Sequence, residues 1–120
     1  MRELFEPKAV AVIGASADER KVGGILIKKL KNYGGTIIPI HPEHSLIQDI
    51  PVWKSVQMYP GTIDLAIIAI PRQGVVGALR TCGEKKIPYV IIISAGYGEI
   101  GNQQEEEELI ALAKQYQIRL

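Results

Sequence analysis

The stretch Ala9-Val10-Ala11-Val12-Ile13-Gly14-Ala15-Ser16, followed by a polar loop and Lys21-Val22-Gly23-Gly24, sets the fold of this chain. Residues Ala9 to Ile13 are apolar without alternation, the pattern of a strand buried on both faces of a parallel sheet. Gly14 ends the strand. Ala15 and Ser16 are small, so a ligand can approach the backbone closely. Ala17-Asp18-Glu19-Arg20 is a polar loop, and Gly23-Gly24 lets a helix begin close to the strand. A strand-turn-helix junction of this kind suits an anion. Amides at a helix N-terminus point outward and carry partial positive charge.

Downstream, the apolar pattern alternates between helix and strand. Val22, Leu26, Leu30 and Tyr33 recur at helical spacing, predicting a helix from Val22 to Asn32. Its lysines Lys28, Lys29 and Lys31 lie near the C-terminus, where cations are favoured on a solvated face. Thr36 to Ile40 reads as a second strand ending at His41-Pro42. Pro39 lacks a donor and belongs near a strand end or edge. Residues 43–49 read as a polar connection, Ile50 to Trp53 as an extended piece, and Lys54 to Tyr59 as a short helical turn. A strand over Ile63 to Ile70 ends at Pro71, and a helix over Gln73 to Lys86 buries Val75, Val76, Leu79 and Cys82. A strand from Pro88 to Ile93 ends at Ser94-Ala95-Gly96. The last helix covers Gln103 to Gln117, with Leu109, Ile110, Leu112 and Ala113 facing inward. Gln117 to Leu120 reads as the first residues of a further strand, as in a piece cut from a longer protein. The order β-α-β-β-α-β-α-(β) implies an α/β fold: a Rossmann-like, doubly wound parallel sheet in a single three-layer domain over 1–120.

Composition narrows the function classes. The 120 residues are 47% hydrophobic and 22% charged, with a formal net charge of +1. A nucleic-acid binder normally shows a strong basic excess, so no nucleic-acid partner is expected. The single cysteine, Cys82, permits no internal disulfide and no thiolate metal cluster, and fits a reducing cytoplasm. It reads as a small core residue rather than a nucleophile. Neither a signal peptide nor an apolar run of membrane-spanning length is present, and no metal site is expected.

In doubly wound sheets, ligands bind outside the carboxyl ends of the strands. A dinucleotide is the default, and two positions argue against it. The G-x-G-x-x-G fingerprint needs glycine where Ser16 stands. The acid expected after the second strand is replaced by His41-Pro42. The return through Lys21-Val22-Gly23 offers instead a cation and backbone amides for a pyrophosphate or terminal phosphate. Arg72 is a further cation at this edge.

Phe5-Glu6-Pro7-Lys8-Ala9 through Ser16 resembles the opening of the coenzyme A-binding domain of the nucleoside-diphosphate-forming acyl-CoA synthetases. These include ADP-forming acetyl-CoA synthetase and are related to the succinyl-CoA synthetase alpha subunit. Lys21-Val22-Gly23, Pro39-Ile40-His41-Pro42, Asp64 through Pro71, and Ile93-Ser94-Ala95-Gly96-Tyr97 carry the resemblance across essentially the whole chain. It implies that coenzyme A is the ligand. Gly14, Ala15 and Ser16 with Lys21, Val22 and Gly23 would hold the phosphates. His41 and Pro42 would lie beside the nucleotide, and Pro71, Ile93, Ser94 and Ala95 would line the route of the pantetheine arm. Two positions depart from the family: asparagine is usual where His41 stands, and glycine is frequent where Asp49 stands, which suggests a different loop after Pro42. The family's phosphorylated histidine lies in a later domain, and His41 and His44 match no catalytic motif. The resemblance therefore implies a cytoplasmic domain that binds coenzyme A, works with the remaining synthetase domains or a second subunit, and is inactive alone. The alternatives are a stand-alone coenzyme A sensor, a regulatory domain fused to a protein lysine acetyltransferase, and an NAD(P)-binding domain.

Overall fold

Strand β1 (Ala9–Ile13) is the centre of the structure because both of its faces are apolar and both of its edges are paired. Val10, Ala11 and Val12 are at most 1% exposed. The computed structural model describes residues 8–15, 21–31, 35–43, 46–93 and 103–119. Helix α1 (Val22–Leu30) connects β1 to β2 (Thr36–Ile40), which pairs parallel with β1 in the register Ile13 to Ile40. A hairpin of β3 (Leu46–Ile47) and β4 (Ile50–Pro51) follows. Strand β5 (Leu65–Ile68) returns to the other edge of β1, also parallel. Helix α2 (Val75–Glu84) leads to β6 (Tyr89–Ile92) beside β5, and helix α3 (Gln103–Tyr116) follows.

The four long strands stand in the order β2-β1-β5-β6. Isolated parallel bridges extend the sheet at either side, Trp53 against Ile40 and Arg119 against Tyr89. This reproduces the 3-2-1-4-5-6 order of doubly wound sheets, with the outer strands shortened to bridges. The chain reverses direction across the sheet at β1, so the switch point lies between β1 and β5. The further strand expected near the C-terminus does begin. Arg119 N–H donates to the Pro88 carbonyl at 2.8 Å, and its carbonyl accepts from Val90 N–H at 2.8 Å.

Pro39 sits inside β2 without breaking the sheet. Its carbonyl accepts from Trp53 N–H at 2.9 Å, on the side away from β1. In a strand the N–H and C=O of one residue point the same way, so the missing donor faces outward, where the ladder to β1 does not need it.

The two faces of the sheet are covered differently. Leu79 and Cys82 of α2 and Leu109, Leu112 and Ala113 of α3 pack on Ala11, Ile38, Ala66, Ile68 and Val90. On the opposite face, Leu26, Ile27 and Leu30 of α1 pack on Val10, Val12, Leu65 and Ile67, with Ile47 of the hairpin alongside. Among the described residues α1 is the only helix on this face, and it does not reach β6. Ile91 and Ile93 are therefore 41% and 40% exposed, unlike the strand buried on both faces that the apolar run suggests.

Helix faces differ from the sequence pattern in detail. The buried side chain of α1 is Ile27, and its contact face is Gly23-Ile27 with Leu26 and Leu30; Tyr33 and His44 lie outside the described residues. In α3, Leu109, Leu112 and Ala113 are buried while Ile110 is 51% exposed, since 109, 112 and 113 share a face that 110 leaves by about a quarter turn. Before α2, residues Arg72–Gly74 form a 3-10 turn. Cys82 is fully buried, and desolvation pushes its thiol up to about 12, so it is a core residue.

Asp64 fastens the amino end of β1. Its Oδ2 accepts from both Lys8 and Ala9 N–H at 2.9 Å, and its own N–H donates to the Ala9 carbonyl at 3.0 Å. Asp64→Ala should therefore lower stability by about 1–3 kcal/mol, the range for hydrogen bonds to a charged group. Asp64→Asn, which keeps an acceptor oxygen, should fall between the two in urea titrations. Helix α2 ends with Lys86 at φ 65°, and Ile87 N–H donates back to the Cys82 carbonyl at 3.0 Å. This closing turn favours glycine. The left-handed Cβ costs roughly 1–2 kcal/mol, against about 0.5–1 for the looser unfolded chain of glycine. Lys86→Gly should raise stability by ~0.5–1 kcal/mol, read as a higher denaturation midpoint.

Candidate site at the carboxyl ends of the strands

Two glycines bring α1 onto the end of β1. Gly14 has φ 94°, and a Cβ there would collide with the Ala69 carbonyl oxygen and lie 2.7 Å from Ile70 Cγ2. A Cβ on Gly23 would collide with the Gly14 carbonyl oxygen. The first turn of α1 therefore rests on the turn that ends β1, and β5's exit passes on its other side. Ala69 N–H donates to the Ile13 carbonyl at 2.8 Å, carrying the β1-β5 ladder up to this level.

Among the described residues, no side chain caps the N-terminus of α1. Lys21 caps it in extended conformation (φ −87°, ψ 154°) with no side-chain cap bond, and the first turn holds no acidic residue. The first helical bond runs from Ile25 N–H to the Lys21 carbonyl at 2.9 Å. The N–H groups of Val22, Gly23 and Gly24 thus have no partner within the helix, at its positive end. The exposed Lys21 adds a formal charge beside them. Ala15 is 2% exposed and packs with Val12, Ile27 and Ile47, so only its backbone can serve a ligand.

The hairpin supports this junction from below, and sequence reasoning missed it. Leu46 to Pro51 pair across the two-residue turn Gln48-Asp49, whose φ values are 49° and 68°, a type I′ turn. Gln48 Nε2 donates to the Gly24 carbonyl at 3.0 Å, tying the turn to α1. Asp49 holds the left-handed conformation that glycine favours. The apolar pairs flanking Gln48-Asp49 are the available signal, but that dipeptide is not a preferred one for the turn.

His41 ends β2 level with Gly14. Its N–H donates to the Trp53 carbonyl at 3.0 Å, and its Nδ1 accepts the Glu43 N–H at 3.0 Å. A side-chain acceptor bonded two residues ahead is the turn asparagine makes. His41 therefore supplies the acceptor that asparagine would, with the ring proton on Nε2. Pro42 and Pro71 are exposed beside their strand ends. Ile93 follows β6, its N–H donating to the Ile68 carbonyl at 2.8 Å. His41, Gly14, Ala69 and Ile93 thus stand in a row across three strand spacings, ~14 Å. Ser16, Ser94 and Ala95 lie outside the described residues. Ile70, which lies between Gly14 and Gly74, is a further residue at the crevice that sequence reasoning did not single out.

Among the described residues, no group of three or more His, Cys, Asp or Glu side chains could hold a metal ion, and no helix is long and apolar enough to cross a membrane.

Residues 8–120 match the family model described as a CoA binding domain. The acetate-CoA ligase (ADP-forming) II subunit alpha of Pyrococcus furiosus is 43% identical over 120 residues, covering 98% of this chain and 26% of that protein. A crystal structure from Pyrococcus horikoshii OT3 superposes with a TM-score of 0.94 at 42% identity, over 98% of this chain and 28% of that one. Dinucleotide forming acetyl-coenzyme A synthetase 1 of Ca. Korarchaeum cryptofilum superposes with a TM-score of 0.93 at 34% identity, over 98% of this chain and 26% of that one. The chain spans about a quarter of the length of each of these relatives. With its parallel sheet, its switch-point crevice and a family match that runs from the first residue of the described structure, this chain belongs to the CoA binding domain family.

Proposed function

We propose that this chain binds coenzyme A across the carboxyl ends of its parallel strands, as the coenzyme A-binding part of a cytoplasmic ADP-forming acyl-CoA (acetyl-CoA) synthetase. The observation that carries the reading is the open N-terminus of α1 seated on Gly14 at the switch point. Three N–H groups and Lys21 converge there on space that no side chain of the first turn neutralises, which suits the pyrophosphate of the cofactor. The pantetheine arm runs from Gly14 past Ile70 and Pro71 toward Ile93, over apolar surface that matches its chemistry. Ser16, Ser94 and Ala95 complete the site in this reading. The thioester chemistry belongs to the portions of the longer relatives beyond this domain, or to a second subunit, and the isolated chain is not a catalyst.

Calorimetric titration of the 120-residue chain with coenzyme A and with NAD tests the assignment. Coenzyme A should bind and NAD should bind more weakly; the reverse order removes the reading. Lys21→Ala should weaken coenzyme A by about 1–3 kcal/mol, the range for a charge-assisted hydrogen bond, and unchanged affinity would remove Lys21 from the site.

His41 offers a second check. His41→Asn should bind coenzyme A within about twofold of the parent, because the acceptor for Glu43 N–H is retained. His41→Leu removes that acceptor and should cost about 1 kcal/mol in affinity or stability, the worth of one net hydrogen bond. Equal loss in both variants would mean that the imidazole itself contacts the ligand.

A further inference from the structure

The first turn of α1 is weakly restrained by its own residues. The crossing over β1 demands glycine at position 23, because a Cβ there would collide with the Gly14 carbonyl oxygen. Gly24 follows, so two of the first three helical residues lack the side chain that limits backbone freedom. Lys21 makes no side-chain cap bond, and no acidic residue stands in the turn to offset the helix dipole.

A bond from outside the helix reaches this turn. Gln48 Nε2 donates to the Gly24 carbonyl at 3.0 Å. Gln48 stands at the tip of the β3-β4 hairpin, whose Ile47 is 1% exposed and packs with Val12, Ala15 and Ile27. The bond therefore joins a loose turn to an anchored base. The tip itself is strained, since Gln48 and Asp49 hold φ of 49° and 68°. Asn-Gly is the pair that forms a type I′ turn most readily. Asparagine at position 48 is one methylene shorter than glutamine and stops short of the Gly24 carbonyl. The strained pair thus carries a reach that the relaxed pair lacks.

We propose that Gln48 is a positioning residue for the phosphates of the ligand. Its bond to Gly24 fixes the first turn of α1, so that the N–H groups of Val22, Gly23 and Gly24 keep one direction before the ligand arrives. The proposal rests on the coenzyme A reading above. Gln48 acts through α1 and not on the ligand. A turn without the bond has to be ordered at the moment of binding, and that ordering lowers affinity.

Two variants of the 120-residue chain separate this role from simple support of the fold. Asp49→Gly relaxes the turn and keeps the bond. Its thermal midpoint should rise, and coenzyme A should bind within about twofold of the parent in calorimetry. Adding Gln48→Asn to Asp49→Gly gives the preferred turn pair and removes the bond to Gly24. The midpoint should stay at or above that of the parent, while coenzyme A binds about fivefold more weakly, the worth of one net hydrogen bond. The Ile25 amide, which donates to the Lys21 carbonyl at 2.9 Å, reports opening of the first turn. Without ligand it should exchange with solvent about fivefold faster in the double variant than in Asp49→Gly, with the amides of β1 no faster than in the parent. A merely structural bond does not move stability and affinity in opposite directions. Equal affinity in the two variants would overturn the proposal, as would an affinity loss matched by a lower midpoint, or an unchanged Ile25 exchange rate. Failure of the parent chain to bind coenzyme A would overturn the coenzyme A reading itself, and the role of Gln48 with it.

Discussion

The structure depends on one close crossing, that of the first turn of α1 over the end of β1. Gly14 and Gly23 meet where two Cβ atoms cannot fit. The absence of one side chain lets the Ala69 carbonyl pass beside Gly14, and the absence of the other lets α1 sit on the Gly14 carbonyl. The consequence reaches both neighbours. Strand β5 can continue its hydrogen bonds with β1 as far as Ala69, and α1 can point its open N–H groups at the gap between them. A methyl group at either position would push the helix off the strand end. The ladder, the helix direction and the anion-binding geometry are therefore one constraint seen from three sides.

The coverage of the sheet follows from that crossing. One βαβ unit on the α1 side and two successive ones on the other place α1 alone against Val10, Val12, Leu65 and Ile67. The hairpin takes the place of a second helix there. Its Ile47 is buried with Val12, Ala15 and Ile27, and its Gln48 holds the Gly24 carbonyl. This bond ties the hairpin to the first turn of α1. Two consecutive residues at positive φ without glycine are a strained way to build a turn. They bring Gln48 to the helix carbonyl.

Much of this was legible in the chain. The unbroken apolar runs at Ala9–Ile13 and Leu65–Ile68 mark strands buried on both faces, and the right-handed crossover rule then fixes their neighbours. Other features were hidden for definite physical reasons. The contact face of α1 includes Gly23, and a residue with no side chain adds nothing to a hydrophobic stripe, so the pattern centred on Leu26 rather than Ile27. Strand β6 reads as fully buried because its residues are apolar, but burial depends on which helices reach it. Asp64 looks like the polar start of a strand, and its bonds to residues 55 and 56 positions earlier in the chain have no local signature. The crevice itself was legible from Gly14, Lys21 and Gly23.

His41 shows how one side chain can do the structural work of another. In the structure Nδ1 takes the N–H two residues ahead, the role of an asparagine side-chain oxygen, while the backbone N–H of the same residue joins β2 to Trp53. What the position requires is an acceptor on a short arm at the end of β2, and imidazole meets that requirement through one nitrogen.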